Sequence, residues 1–288
     1  MSPRAPEPAA PSPRPKPMMT IKPSRSWLPV DPRELWAFRE LLVRLTARDV
    51  TLRYRQTALG VAWVVLQPLL AAGILTFVFG SVAGLPAPAG IPYFVFSLAG
   101  MVAWNTFSQT IIRSSGSLLA NSQLVSKVYF PRLLLPLSSV GSTFVDTVVS
   151  FMLLAGLMAV NGVQPGWALV LLPVWLLLLL AVALGVGLAA GALMVRYRDV
   201  QFVLPVAVQF LLFASPIAYT LASVPENARM WYELNPLTGL LEGFRWSVLG
   251  MPRPSTALMA YAAGVSIVAL VVGTAIFNRT ERQFADVI

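Results

Sequence analysis

Six apolar runs alternate with polar stretches along the chain, near Val61 to Ala83, Ile91 to Ile112, Leu133 to Val160, Trp167 to Val195, Gln201 to Leu221 and Thr256 to Phe277. About 20 consecutive apolar residues suffice to span a bilayer as a helix, so the pattern predicts an all-α integral membrane protein with six transmembrane helices. Ahead of the first run, Leu35, Phe38, Leu42 and Leu45 recur at helical spacing, with Glu40, Arg44 and Arg48 roughly opposite. That spacing predicts an amphipathic helix over Arg33 to Val50. Its apolar side either lies in the acyl boundary, as in an interfacial helix, or packs on protein. The connection Ala222 to Ser255 contains Trp231 to Gly250, which is too apolar for a solvated loop and too broken for a full span. Two readings fit it: a re-entrant hairpin dipping into the outer leaflet, or a surface pair of amphipathic helices.

Charge then orients the helices. Of the 21 Lys and Arg residues, all but Arg229, Arg245 and Arg253 fall on the side of the N-terminus, which the positive-inside bias makes cytoplasmic. Both termini are therefore expected inside, and the +9 formal charge reflects topology rather than nucleic-acid binding. The first 30 residues hold nine prolines and no apolar run, predicting a disordered cytoplasmic tail over 1–30. The helix and its basic flank follow over 31–56, and the six-span domain over 57–288.

Chemistry on the chain has few parts to work with. Cysteine and histidine are absent, and so are the G-x-x-x-x-G-K-[ST], H-E-x-x-H and G-x-S-x-G motifs. No catalytic or metal-ligating set is expected, and neither is an ATP site. A membrane-embedded glycan-modifying enzyme would need a cluster of carboxylates or histidines, which the sequence does not supply.

The polar residues inside the spans are more informative. A carboxylate in mid-span, Asp146, costs at least about 2.5 kcal/mol if left facing lipid, so it faces protein or water. It either lies beside a translocation path or is capped by Ser142, Thr143 or a neighbouring helix. The amides Gln67, Asn105, Gln109 and Gln209 either bond between helices or line a conduit. Trp63, Phe77, Phe79, Tyr93, Phe94, Phe96, Trp104 and Phe107 lie among them, a mixture that suits stacking of sugar rings as well as packing or interfacial anchoring. Gly185, Gly187, Ala189 and Gly191 form small-xxx-small patterns that allow close helix approach. Pro68, Pro205 and Pro216 can bend their helices. On the basic side, the stretch Arg113 to Arg132 reads as a docking element for a soluble partner.

Three segments carry a resemblance: Arg53-Tyr-Arg-Gln-Thr-Ala-Leu-Gly-Val-Ala-Trp-Val-Val-Leu-Gln-Pro68, Leu124-Val-Ser-Lys-Val-Tyr-Phe-Pro-Arg132 and Leu234-Asn-Pro-Leu237. Together they resemble the permease subunits of ATP-binding-cassette exporters for polysaccharides, in particular the O-antigen lipopolysaccharide type, from Arg33 to the C-terminus. The resemblance implies a homodimer of six-helix subunits in the bacterial inner membrane, each paired with a separate ATPase that holds ATP and Mg. It implies a gate helix over Arg33 to Asp49. It also implies a coupling helix within Ser117 to Phe130, presenting Leu118, Leu119, Asn121, Gln123, Leu124, Val125, Lys127 and Tyr129. Trp231 to Gly250 would be the outer gate, with Trp231, Glu233, Asn235, Glu242 and Arg245. The cargo would be a polymer on a polyprenyl diphosphate, with Arg48, Arg53 and Arg55 as candidates for the diphosphate or as plain inner-surface anchors. Trp63, Gln67, Phe77, Tyr93, Asn105, Gln109 and Asp146 are the conduit candidates. Capsule and teichoic-acid exporters share this architecture, and a small-molecule or lipid exporter of the same fold is the alternative.

Overall fold

The computed structural model describes residues 32–55, 62–88, 90–128 and 130–287, with the side chains of 32–34 and 282–287 left aside. The tail over 1–30 and Tyr129 lie outside the described residues. Among these residues the chain is helical throughout, without strands. Helices α1 (Pro32–Ala37) and α2 (Arg39–Tyr54) precede α3 (Ala62–Leu75), which Thr76–Val82 continues as a π-helical segment. Then come α4 (Tyr93–Ala120), α5 (Ser122–Lys127), α6 (Leu134–Val160), α7 (Leu172–Arg196), α8 (Val200–Phe213), α9 (Glu226–Leu234), α10 (Pro236–Leu249) and α11 (Thr256–Val287).

Among the described residues, four helical segments are long and apolar enough to cross a membrane: Ala62–Val82, Leu134–Val160, Trp167–Arg196 and Thr256–Glu281. The other two predicted spans look different. Helix α4 has the length, but it is rich in Ser, Thr, Asn and Gln and sits at the centre of the bundle, touching α3, α6, α7, α8 and α10. Its hydroxyls return to carbonyls one turn back, as Thr106, Thr110 and Ser114 do, or cross to α6, as Thr106 does to Thr147 at 2.9 Å. A helix surrounded by protein does not need lipid-facing hydrophobicity. It also runs past Ile112 to Ala120, so the first half of the predicted docking loop is helix. The fifth run was expected to reach Leu221, yet α8 stops at Phe213, about 21 Å at 1.5 Å per residue. Pro216 biases the residue before it away from helix, and the chain continues irregularly to α9.

Glycines set the closest approaches. A Cβ on Gly187 would lie 1.9 Å from the Ser114 hydroxyl of α4, and one on Gly191 would lie 3.0 Å from the Ser115 carbonyl oxygen. Gly185 faces the other way, where a Cβ would meet the Ala269 carbonyl of α11 at 2.3 Å. The small-residue stretch of α7 thus lets two helices approach it on two sides.

The apolar stripe of α2 packs on protein. Leu45 is buried, and Leu42, Leu41, Phe38 and Leu35 pack with it against Leu118, Leu134, Leu188 and Phe277, in the C-terminal halves of α4, α7 and α11 and at the start of α6. Gly141 of α6 admits Thr46 of α2 so closely that a Cβ would sit 2.7 Å from its hydroxyl. A further chain of polar contacts fixes α2. The Arg48 guanidinium donates to the Asn121 side-chain oxygen at 2.7 Å and to Asp49, and Asp49 accepts from Ser138 of α6.

Candidate functional site: a polar cleft between three helices

Three helices each contribute polar or aromatic positions one turn apart to a single cleft of about 150 Å³. Helix α3 brings Trp63 and Gln67, α4 brings Asn105, Gln109 and Arg113, and α6 brings Asp146 and Ser150. Residues four apart share a helix face, so each set lines one wall. The end of α2 closes one end with Arg53 and Tyr54. On α4 the partly exposed positions in this region, Asn105, Gln109, Ile112, Arg113 and Gly116, form one stripe, while most of the helix is buried.

Charge concentrates at the end of the cleft beside α2. Asp146 accepts from Arg113 through Oδ2 at 2.7 Å, from Arg53 through the same oxygen, and from the Tyr54 hydroxyl through Oδ1. Arg113 also donates to the Thr143 hydroxyl at 3.2 Å. Burial, then the bond to Asp146, pushes the Tyr54 phenol up to about 12, so it keeps its proton and acts as donor. Of the cappings open to Asp146, the one from neighbouring helices is what the fold shows, through α2 and α4, while the Ser142 hydroxyl donates to the Ser139 carbonyl. Two guanidiniums around one carboxylate leave an excess of one positive charge at the cleft.

Five of the seven conduit candidates, Trp63, Gln67, Asn105, Gln109 and Asp146, meet here. Phe77 and Tyr93 do not. Phe77 points outward, 64% exposed, and the Tyr93 hydroxyl donates to the Ala218 carbonyl while its ring covers Gly80. Gln209 is exposed on α8. Of the diphosphate candidates, Arg53 is committed to Asp146, Arg48 bridges Asp49 and Asn121, and Arg55 is exposed. Sequence reasoning missed Arg113, Tyr54 and Ser150. The spacing of Asn105, Gln109 and Arg113 along one face was the available signal for the first, masked by placing Arg113 in a loop.

The segment predicted to dock a partner is divided by the fold. Leu118 is core, Leu124 and Val125 pack partly against that core, and Asn121 is held by Arg48 and by its own bond to the Ser117 carbonyl. Leu119 is half-buried, and Gln123, Ser126, Lys127 and Val128 are exposed on or beside α5.

In the predicted outer-gate segment, Trp231 and Glu233 of α9 are exposed, whereas α10 is almost wholly buried against α4, α7 and α11. Asn235 caps α10 by accepting from the Leu237 N–H and ties it to the end of α8 through Ala214 and Ser215. Gly239 lies inside α10, where a Cβ would stand 2.8 Å from that of Ala262 on α11. Arg245 is 0% exposed: it donates to the carbonyls of Pro216, Ile217 and Tyr219 and stacks over Phe96 of α4 at 4.1 Å. Glu242 stands 3.8 Å from it and accepts from the Leu221 N–H.

Comparison with known proteins adds to this geometry. Residues 40–249 match the family described as ABC-2 type transporter. The chain is 30% identical over 256 residues to the O-antigen export system permease protein RfbA of Myxococcus xanthus, covering 88% of this chain and 97% of that protein. It is 29% identical over 255 residues to an O-antigen export system permease protein RfbA of Klebsiella pneumoniae, covering 86% and 95%. It is 27% identical over 254 residues to the polysialic acid transport protein KpsM of Escherichia coli, covering 82% and 92%.

Proposed function

The chain belongs to the ABC-2 type transporter family, and on that premise we propose that it is the membrane-spanning subunit of an exporter that moves a lipid-linked polysaccharide, O-antigen-like or capsular, across the bacterial inner membrane. The observation that carries this reading is near full-length similarity to two O-antigen export permeases and a polysialic acid transporter. The cleft supports it. Amides offer both donors and acceptors to hydroxyls, and Trp63 offers a flat apolar face, which together suit a sugar chain better than a purely apolar cargo.

In this reading the subunit crosses the membrane six times with both termini inside, works as a homodimer, and performs no chemistry itself. The energy comes from a separate ATPase that binds ATP and Mg. Its seat is the exposed edge formed by Gln123, Lys127 and Val128, because α5 joins the central helix α4 to α6 and a push there reaches both. A partner can shift the permease only by binding its two states unequally, and a rigid connection to α4 gives it that grip. The hairpin of α9 and α10 closes the outer side.

Reconstitution with the partner ATPase in proteoliposomes tests the function. Lipid-linked polysaccharide should reach the opposite leaflet only with both chains and ATP present, and transport of small amphiphiles in place of polysaccharide would overturn the assignment. Lys127→Glu combined with Val128→Asp should abolish capture of the ATPase while leaving the permease folded. Unchanged capture would remove the docking edge.

A further inference from the structure

We propose, on the membrane-spanning part of the reading above and independently of the cargo, that Asp146, Arg53, Arg113 and Tyr54 form a proton block. The block lets the bundle carry a wet polar cleft at membrane depth without giving protons a path through it.

The cleft reaches far into the bundle. Two of its walls, α3 and α6, belong to segments long and apolar enough to cross a membrane, and Asp146 is the thirteenth of the 27 residues of α6. On α4 the polar row runs from Arg113 to Asn105, about 12 Å at 1.5 Å per residue. A hydrocarbon core is about 30 Å thick, so more than a third of it is bridged by polar groups. A polar space of about 150 Å³ holds several waters, and Gln67, Asn105, Gln109 and Ser150 offer them partners. Past Asn105 the row ends, because α4 is buried from Val95 to Trp104. The apolar barrier is therefore thinned rather than breached.

Protons are the ions that exploit such thinning, since they hop along water, and a carboxylate at membrane depth is a natural relay for them. The chain has no histidine, and among the described residues lining the cleft Asp146 is the only carboxylate. Its acceptors are occupied. Oδ2 takes Arg113 at 2.7 Å and Arg53, and Oδ1 takes the Tyr54 hydroxyl, so three of the roughly four lone-pair sites of a carboxylate are in use. None of these donors hands a proton on, because guanidiniums stay protonated in proteins and the Tyr54 phenol keeps its proton. No other charged group lines the cleft from α3, α4 or α6 among the described residues. One guanidinium would suffice to neutralise Asp146, yet two are present. The excess positive charge repels an approaching hydronium, as fixed positive charge does in pores that pass water and exclude protons. The same three side chains thus occupy the relay and guard the approach to it.

The test follows proton entry into pyranine-loaded vesicles that carry the full-length chain assembled with its ATPase, after an acid jump outside, with potassium and valinomycin balancing charge. Wild type should acidify close to the rate of protein-free vesicles. Arg113→Gln cancels the net charge and returns an acceptor to Asp146, and should speed acidification by about tenfold or more, the effect of one unit charge at close range. Adding Asp146→Asn to that variant removes the relay and restores one net positive charge through Arg53, so the rate should fall back close to wild type. A cluster that only holds helices together predicts the reverse, because the double variant loses more bonds than the single one. Gel filtration monitors folding, and Arg53→Gln, alone and with Asp146→Asn, repeats the comparison if the Arg113 variants do not fold. Wild-type rates in both single arginine variants overturn the proposal, as do double variants at least as leaky as their singles or a wild type that leaks fast. Polysaccharide export by the same vesicles is read separately. If export runs while the leak pattern fails, the block falls alone; if the pattern holds while nothing is exported, the cargo reading falls and the block stands.

Discussion

Two arginine sites flank the central helix α4, and they solve opposite problems. Near its N-terminal end, Arg245 is sealed between Phe96 and the segment after α8, with three backbone carbonyls and Glu242 around it. On its C-terminal half, Arg113 and Arg53 share one carboxylate and open onto a cleft. A buried guanidinium whose terminal nitrogens are fixed on backbone carbonyls, with only Nε left unpartnered, has no room for a ligand and holds structure together. Two guanidiniums that outnumber their carboxylate, and that reach solvent, keep donors for something else. The surroundings decide which role an arginine plays in the same helical bundle.

On that contrast, the Arg245 site governs stability. Arg245→Leu should cost about 3 kcal/mol or more, because it strands several carbonyls whose partner has gone, at roughly 1–3 kcal/mol each. Thermal unfolding in detergent should show the loss, and Arg245→Lys should recover little of it because a single ammonium cannot reproduce the fork. A wild-type unfolding midpoint in Arg245→Leu would break the comparison at its stronger end. Gly100→Ala should follow at about 1–3 kcal/mol, the range for overpacking. A Cβ there would lie 2.5 Å from an Arg245 nitrogen and 2.5 Å from the Ile217 carbonyl oxygen.

Much of this architecture was legible in the amino-acid sequence, and the gaps have physical causes. The apolar runs gave the spanning helices, and the glycines of α7 announced close packing. Trp63, Gln67, Asn105, Gln109 and Asp146 stood out because hydrocarbon tolerates polar groups poorly, and the fold gathers all five. Partnerships were not legible: Tyr54 meets Asp146 across 92 residues, and Arg245 bonds carbonyls from a segment with no pattern of its own. The stop of α8 was readable from Pro216, yet the apolar run through Leu212 and Phe213 drew the predicted span onward. The stripe of α2 showed amphipathicity, but the sequence cannot say whether lipid or protein takes the apolar side, since both are equally dry.

The inner arginines should show the reverse balance. Arg53→Gln and Arg113→Gln should shift stability by about 1 kcal/mol, as expected for partly exposed ion pairs, while polysaccharide export falls at least about tenfold. Parallel unfolding and vesicle-export measurements on the same preparations would sharpen the comparison. A loss of stability as large as that of Arg245→Leu would erase the distinction between the two sites.

The smallest effect is expected where Arg48 of α2 meets Asn121, just before α5. Arg48 is partly exposed and also bonds its neighbour Asp49, so Arg48→Ala and Asn121→Ala should each change stability by less than about 1 kcal/mol. The informative quantity is their coupling. If the 2.7 Å bond ties α2 to the inner end of α4, a double-mutant cycle on unfolding should return an interaction energy of about 0.5 kcal/mol, as contacting pairs do. The same variants, assembled with the ATPase, should lose part of the transport-linked stimulation of hydrolysis, because the docking edge then moves without carrying α2. A coupling energy indistinguishable from zero would make the contact incidental and leave Arg53 and Tyr54 as the ionic tether of α2 to the cleft.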